Sequence, residues 1–132
     1  MHCQKIILLV LLISTAICAK AQIVINEVMQ SNVDCIMDDL NEFPDSWVEL
    51  FNTADTAVTI TNYHLYSQDK SNLYTIPNYT IEAYGHKLIY CDKENTGWHT
   101  RFRLESGKGC IVFLTNEADE TIDSVYISKK QP

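Results

Sequence analysis

The sequence predicts an all-β domain, two antiparallel sheets packed as a sandwich, behind a removable N-terminal segment. Three observations carry that prediction. Apolar and polar residues alternate in many short runs rich in β-branched and aromatic side chains. The runs recur at roughly 8–12-residue spacing with turn-forming residues between them. No gap between them has the length and period of a crossover helix, which argues against a parallel α/β sheet.

In chain order, Lys5 precedes an apolar run from Ile6 to Ile13 that passes through small residues to Ala19-Lys20-Ala21. That is the charged, apolar and A-x-A order of a secretory signal peptide. The run is shorter than the roughly 20 apolar residues that span a bilayer, and no second such stretch follows. Residues 1–21 are therefore read as a signal peptide cut after Ala21, with residues 22–132 as one domain. A retained anchor is the alternative, and lipidation at Cys18 is disfavoured because Ile17 is not small. The expected location is secreted, periplasmic or at the cell surface, with no stable membrane insertion after cleavage.

The first predicted strand is Ile23 to Met29. Trp47 to Asn52 sets Val48 and Leu50 against Glu49 and Phe51, and Ala57 to Thr61 puts Val58 and Ile60 on one face. Tyr63 to Ser67, Leu73 to Ile76, Tyr79 to Glu82 and Lys87 to Cys91 follow, then Thr100 to Glu105, Cys110 to Thr115 and Thr121 to Ile127. Turn chemistry fills the gaps at Asn52 to Asp55, Ser67 to Lys70, Tyr84-Gly85, Ser106 to Gly109 and Asn116 to Glu120. The one long non-strand stretch, Gln30 to Ser46, is acidic, with a helical turn expected near Ile36 to Leu40.

Cleavage leaves eight of the ten Lys and Arg residues against all 17 Asp and Glu, a formal charge near −9. Such a balance disfavours a nucleic-acid footprint, which needs clustered cations to replace counterions. Of five cysteines, Cys35, Cys91 and Cys110 remain, and an odd count is not a disulfide framework. A Cys91–Cys110 bridge would join two strand ends; the alternative is that both are small buried hydrophobes.

The order Ile25-Asn26-Glu27-Val28, Trp47-Val48-Glu49-Leu50-Phe51-Asn52 and Asn62-Tyr63-x-Leu65 resembles the lamin-tail domain family. Tyr74-Thr75-Ile76-Pro77, Thr80-Ile81-x-Ala83-x-Gly85, His99-Thr100-x-Phe102-x-Leu104 and Asp123-Ser124-Val125 extend the resemblance over nearly all of residues 22–132. It implies an immunoglobulin-like β-sandwich of the kind that bacteria place on exported proteins, often beside catalytic domains. It also implies a further strand beyond Lys129-Lys130-Gln131-Pro132, so residues 22–132 are read as a domain lacking a C-terminal extension. The nuclear members' association with DNA and chromatin does not transfer to an exported, acidic chain.

Residue by residue, structural roles are expected to dominate. Asn26, Glu49 and Asn52 flank apolar strand positions, where side-chain hydrogen bonds fix turns and strand ends. Trp47, Tyr63 and Phe102 read as packing residues, with an exposed sugar-stacking surface as the alternative. The acidic loop offers Asp34, Asp38, Asp39 and Glu42 as oxygen ligands for calcium, against a solvated loop, and lacks EF-hand spacing. His64, His86 and His99 show no zinc spacing. No serine elbow, activated thiolate or phosphate loop is present, and the carboxylates crowd one loop instead of facing each other across a cleft. Arg101 and Arg103 alternate with Phe102 and Leu104, which makes them either a solvated face or a patch for an anionic ligand.

The expected function is a non-catalytic interaction module outside the cytoplasm that needs no cofactor and holds a protein, glycan or surface partner at the cell envelope, not nucleic acid. The alternative is an accessory domain or truncated fragment of an exported multidomain enzyme, a hydrolase or a kinase-like protein.

Overall fold

Nine strands form where alternation placed them, in a computed structural model that describes residues 22–30, 38–40, 46–104 and 109–128. They are β1 Ile23–Met29, β2 Trp47–Asn52, β3 Val58–Ile60, β4 His64–Ser67, β5 Tyr74–Thr75, β6 Tyr79–Ile81, β7 His86–Tyr90, β8 Cys110–Thr115 and β9 Thr121–Ile127. The expected signal peptide and Cys35 lie outside the described residues. Among the described residues no helix is long and apolar enough to cross a membrane.

Every strand pairing is antiparallel. One sheet runs β1-β2-β7, the other β5-β4-β8-β9, and β3-β6 form a separate two-stranded ribbon. One core lies between them. Ile23, Ile25, Val48, Leu50 and Ile89 enter it from the first sheet, Leu65, Tyr74, Val112, Leu114 and Ile127 from the second, and Ile60 and Ile81 from the ribbon. This is the expected immunoglobulin-like sandwich, with the ribbon closing one margin. Where β1 and β9 approach each other, Asp123 of β9 accepts a hydrogen bond from the Ile25 backbone N–H at 2.8 Å, beside a register shift between Ile25 and Glu27. A side chain thus replaces a ladder bond at the seam between the sheets.

The outer faces carry the partners of the alternation. Phe51 and His86 meet at 4.6 Å between ring centroids on the first sheet, and Tyr66 stacks on Phe113 at 4.9 Å on the second. Trp47 and Phe102 are buried and Tyr63 packs against the core, so all three are packing residues.

Asn52 ties β2 to the ribbon. Its amide nitrogen donates to the carbonyls of Thr56, Ile81 and Glu82 at 2.9, 3.0 and 3.1 Å, and its carbonyl oxygen accepts from the Ala54 N–H at 2.9 Å. Asn26 donates to Glu49 at 2.8 Å across β1 and β2. The expectation that these residues fix turns and strand ends agrees with this geometry.

The loop before β7 closes around Gly85, whose carbonyl accepts from the Asn52 N–H at 2.9 Å. A Cβ at Gly85 would meet the Glu82 carbonyl oxygen at 2.9 Å, whereas one at Gly97 would meet open space but sit on a backbone with φ of +52°. Gly85→Ala is therefore expected to cost about 2 kcal/mol, through a backbone that must move, and Gly97→Ala about 1 kcal/mol, through strain alone. Thermal melts of the two variants check the order; equal losses would contradict it.

One predicted strand is absent. Residues 100–104 make only an isolated bridge, Asp92 with Arg103, and position 105 lies outside the described residues. Side chains take the ladder's place. The buried Thr100 hydroxyl donates to the Phe102 carbonyl at 2.7 Å, and the buried Ser46 hydroxyl bonds both the Cys91 carbonyl and the Leu104 N–H, at 2.9 and 3.2 Å. Hydroxyls that satisfy the backbone locally compete with sheet formation. The alternation of Phe102 and Leu104 survives because both are still buried. Arg101 and Arg103 are both exposed, but not from a strand. Lys70–Asn72 form a short 3-10 turn capped by Asp69, whose side chain accepts from the Ser71 N–H.

Candidate functional site

The chain between β7 and β8 folds back on itself at residues 92–100. Asp92 accepts from the Glu94 N–H at 3.1 Å, which starts the turn. Lys93, Asn95 and Gly97 then take positive φ values of 68°, 51° and 52°. Reciprocal backbone hydrogen bonds between Thr96 and His99, at 3.1 and 2.9 Å, close the tip. Tyr90 flanks the return through bonds to the Trp98 carbonyl and from the Thr100 N–H, both 2.8 Å.

This fold-back buries His99 to 2 % exposure between carboxylates. Its Nδ1 lies 2.6 Å from an Asp92 oxygen and its Nε2 lies 2.7 Å from an Asp39 oxygen. The doubly protonated imidazolium is the form that donates to both. Burial lowers the imidazole pKa, but hydrogen bonds and charge from Asp92 and Asp39 outweigh it, and the group lies above its ordinary value. Asp38, also buried, brings a carboxylate oxygen into the same space: one ligand atom each from Asp38, Asp92 and His99 lie within 4.8 Å of one another. An Asx turn, in which the Leu40 N–H donates to Asp38 at 2.8 Å, presents the adjacent Asp39. The Tyr90 phenol feels the same negative charge; burial raises its pKa, and Asp39 and Asp38 raise it further.

The structure thus divides the four expected calcium ligands. Asp38 and Asp39 are placed around His99, while Asp34 and Glu42 lie outside the described residues, as do Ile36 and Met37 of the helical turn expected near Ile36 to Leu40. The cluster needs three separate parts of the chain, so no local motif announced it. The signal that could have found it is Asn95-Thr96-Gly97, a turn sequence that folds His99 back toward Asp92.

Both imidazole nitrogens are held by carboxylates, so the ring has no free nitrogen to take a proton from a substrate. Cys91 lies in the core as a thiol and is not bridged to Cys110, which is buried in the same core. Burial, the largest influence on it, pushes the Cys91 pKa far up, the opposite of what an attacking thiolate requires.

On another side of the same fold-back lies a polar cleft of about 310 Å³, walled by residues 73–75 and 77 and by residues 95–97 and 101. Arg101 lines it; Arg103 does not, and sits opposite Asp92 instead. The Tyr74 hydroxyl donates to the Gly97 carbonyl and joins the two walls. Next to Gly97, Trp98 meets Tyr79 edge-on at 5.2 Å, and the Lys87 ammonium lies 4.1 Å from the Trp98 ring centre and 4.8 Å from that of Tyr79.

Residues 18–129 match the family described as Lamin Tail Domain. No curated protein matches the chain.

Proposed function

The chain belongs to the lamin tail domain family, and from that premise we propose that it works as a non-catalytic module that holds a protein, glycan or surface partner outside the cytoplasm. The observation that carries this reading is the division of labour in residues 92–101. The inward side is fixed by His99 and its carboxylates, and the outward side presents a polar cleft and an aromatic pair. A sandwich that holds a fixed loop over a stable core can vary its contacts without disturbing the fold. Chemistry is a poorer fit. The imidazole is engaged at both nitrogens and the Cys91 thiol is buried and unactivated.

The N-terminal pattern at Lys5 to Ala21 supports an extracytoplasmic site of action. Expression of the full chain is expected to give a processed protein beginning at Gln22 and retained on envelope material. Replacing residues 93–97 by a Gly/Ser segment of equal length should abolish retention while moving the melting temperature by only a few degrees. An unprocessed cytoplasmic chain, or retention indifferent to the loop, would contradict the reading.

A further inference from the structure

The cleft beside the fold-back has the wrong charge for its surroundings. The protein carries a formal charge of −7, yet the one charged side chain lining the cleft is a cation, Arg101. Among the described residues no carboxylate pairs with that guanidinium. Of the other polar side chains on the walls, the Tyr74 hydroxyl is spent on the Gly97 carbonyl, whereas Thr75, Asn95 and Thr96 are exposed and have no side-chain hydrogen-bond partner among the described residues. The cleft therefore presents two hydroxyls, an amide and a guanidinium whose hydrogen-bonding capacity faces solvent.

The backbone holds this arrangement open. Asn95 and Gly97 stand at positive φ, and Gly97 has no heavy atom within 4 Å of where a Cβ would sit. Residues in sparsely populated backbone regions persist where their surroundings over-determine them. Here the Thr96–His99 bonds and the anchored His99 supply that determination.

We propose that this cleft binds the carboxylate of an acidic saccharide, a uronic-acid unit in a glycan chain, with Arg101 as the carboxylate's partner. This rests on the module reading above and names the partner's class. Guanidinium matches carboxylate in a two-bond fork. Thr75, Thr96 and Asn95 supply the short donors and acceptors that ring hydroxyls need. Leu73 and Pro77 edge the cleft with apolar surface for the ring's C–H face. The volume of about 310 Å³ holds a sugar unit, not a folded partner. A single guanidinium in an acidic protein also predicts salt-sensitive binding, because charges at the surface are screened within about 8 Å at physiological ionic strength.

The test is calorimetric titration of the host-processed protein with oligogalacturonate, its methyl-esterified counterpart and oligoglutamate. The acid saccharide is expected to bind and the ester to bind at least tenfold more weakly. Arg101→Ala should weaken binding of the acid at least tenfold with an unchanged melting temperature, and Arg101→Lys should fall between. Equal binding of acid and ester, or undiminished binding by Arg101→Ala, would overturn the assignment. So would oligoglutamate binding as tightly as the saccharide, since the cleft would then read only the anion. No binding of oligogalacturonate by a protein still retained on envelope material through residues 93–97 would remove the saccharide and leave the module reading in place.

Discussion

Asn52→Asp is expected to destabilise the protein by about 4 kcal/mol at neutral pH, a loss in melting temperature on the order of 15 °C. The substitution keeps shape and volume and changes one group. Asn52 is fully buried, and its amide nitrogen donates to three carbonyls, those of Thr56, Ile81 and Glu82. A carboxylate there would point an acceptor at three acceptors, with no solvent to separate them. Asn52→Ala removes the donors without adding charge, and a loss of about 3 kcal/mol is expected. The two variants also differ in pH dependence. The introduced carboxyl would have a folded-state pKa raised above its unfolded value by burial and by the carbonyls. It is then tolerated best below the unfolded pKa, and the penalty grows as pH rises through the folded pKa. Chemical denaturation of wild type and both variants between pH 4 and 7 should show the Asn52→Asp deficit shrinking toward acid, with the Asn52→Ala deficit nearly constant. Asn52→Asp no less stable than Asn52→Ala at pH 7 would mean that the amide nitrogen does not hold the three carbonyls as described.

What the sequence made legible was whatever depends on a local period. Trp47 to Asn52 is a strand with the boundaries the alternation gave it, because Val48, Leu50 and Asn52 all turn to one face and that face is buried. Cys110 to Thr115 and Thr121 to Ile127 are legible for the same reason. Period alone misleads at residues 100–104, where Phe102 and Leu104 are buried as alternation requires but the ladder does not form. Two buried hydroxyls, on Ser46 and Thr100, satisfy the local backbone instead. That distinction lies in side-chain hydrogen bonds between segments far apart in sequence, which no window can show. The site shows the same limit. Arg101 could be picked out as one of two cations alternating with Phe102 and Leu104, but its cleft needs the 73–77 segment opposite. Asp38 and Asp39 could be picked out as acidic, but not as neighbours of His99, which closes a sequence separation of 60.

His99 is the second residue whose removal should be severe. His99→Gln is expected to cost about 2–3 kcal/mol near pH 6, because it takes a buried cation from a space shared by Asp38, Asp39 and Asp92. The figure stays below that for a fully buried pair because the Asp39 side chain is 59 % exposed and its share is screened. Glutamine can still donate to one carboxylate, so the variant should fold, with the fold-back at 92–100 loosened. The sign of the pH dependence follows from the raised imidazole pKa. A base that binds its proton more tightly when folded stabilises the fold fully below its unfolded pKa, about 6.5. That contribution fades as pH rises through the higher folded value. Wild type should therefore lose stability on going from pH 6 to above the folded pKa, and His99→Gln should not, so the two curves approach each other toward alkali. Imidazole resonances followed by NMR would place the His99 midpoint directly, above the ordinary imidazole value. A midpoint below the ordinary imidazole value, or a stability gap that widens with pH, would mean that burial outweighs the two carboxylates. The lock on the inner side of the loop would then be a neutral histidine, and the loop's geometry would owe little to charge.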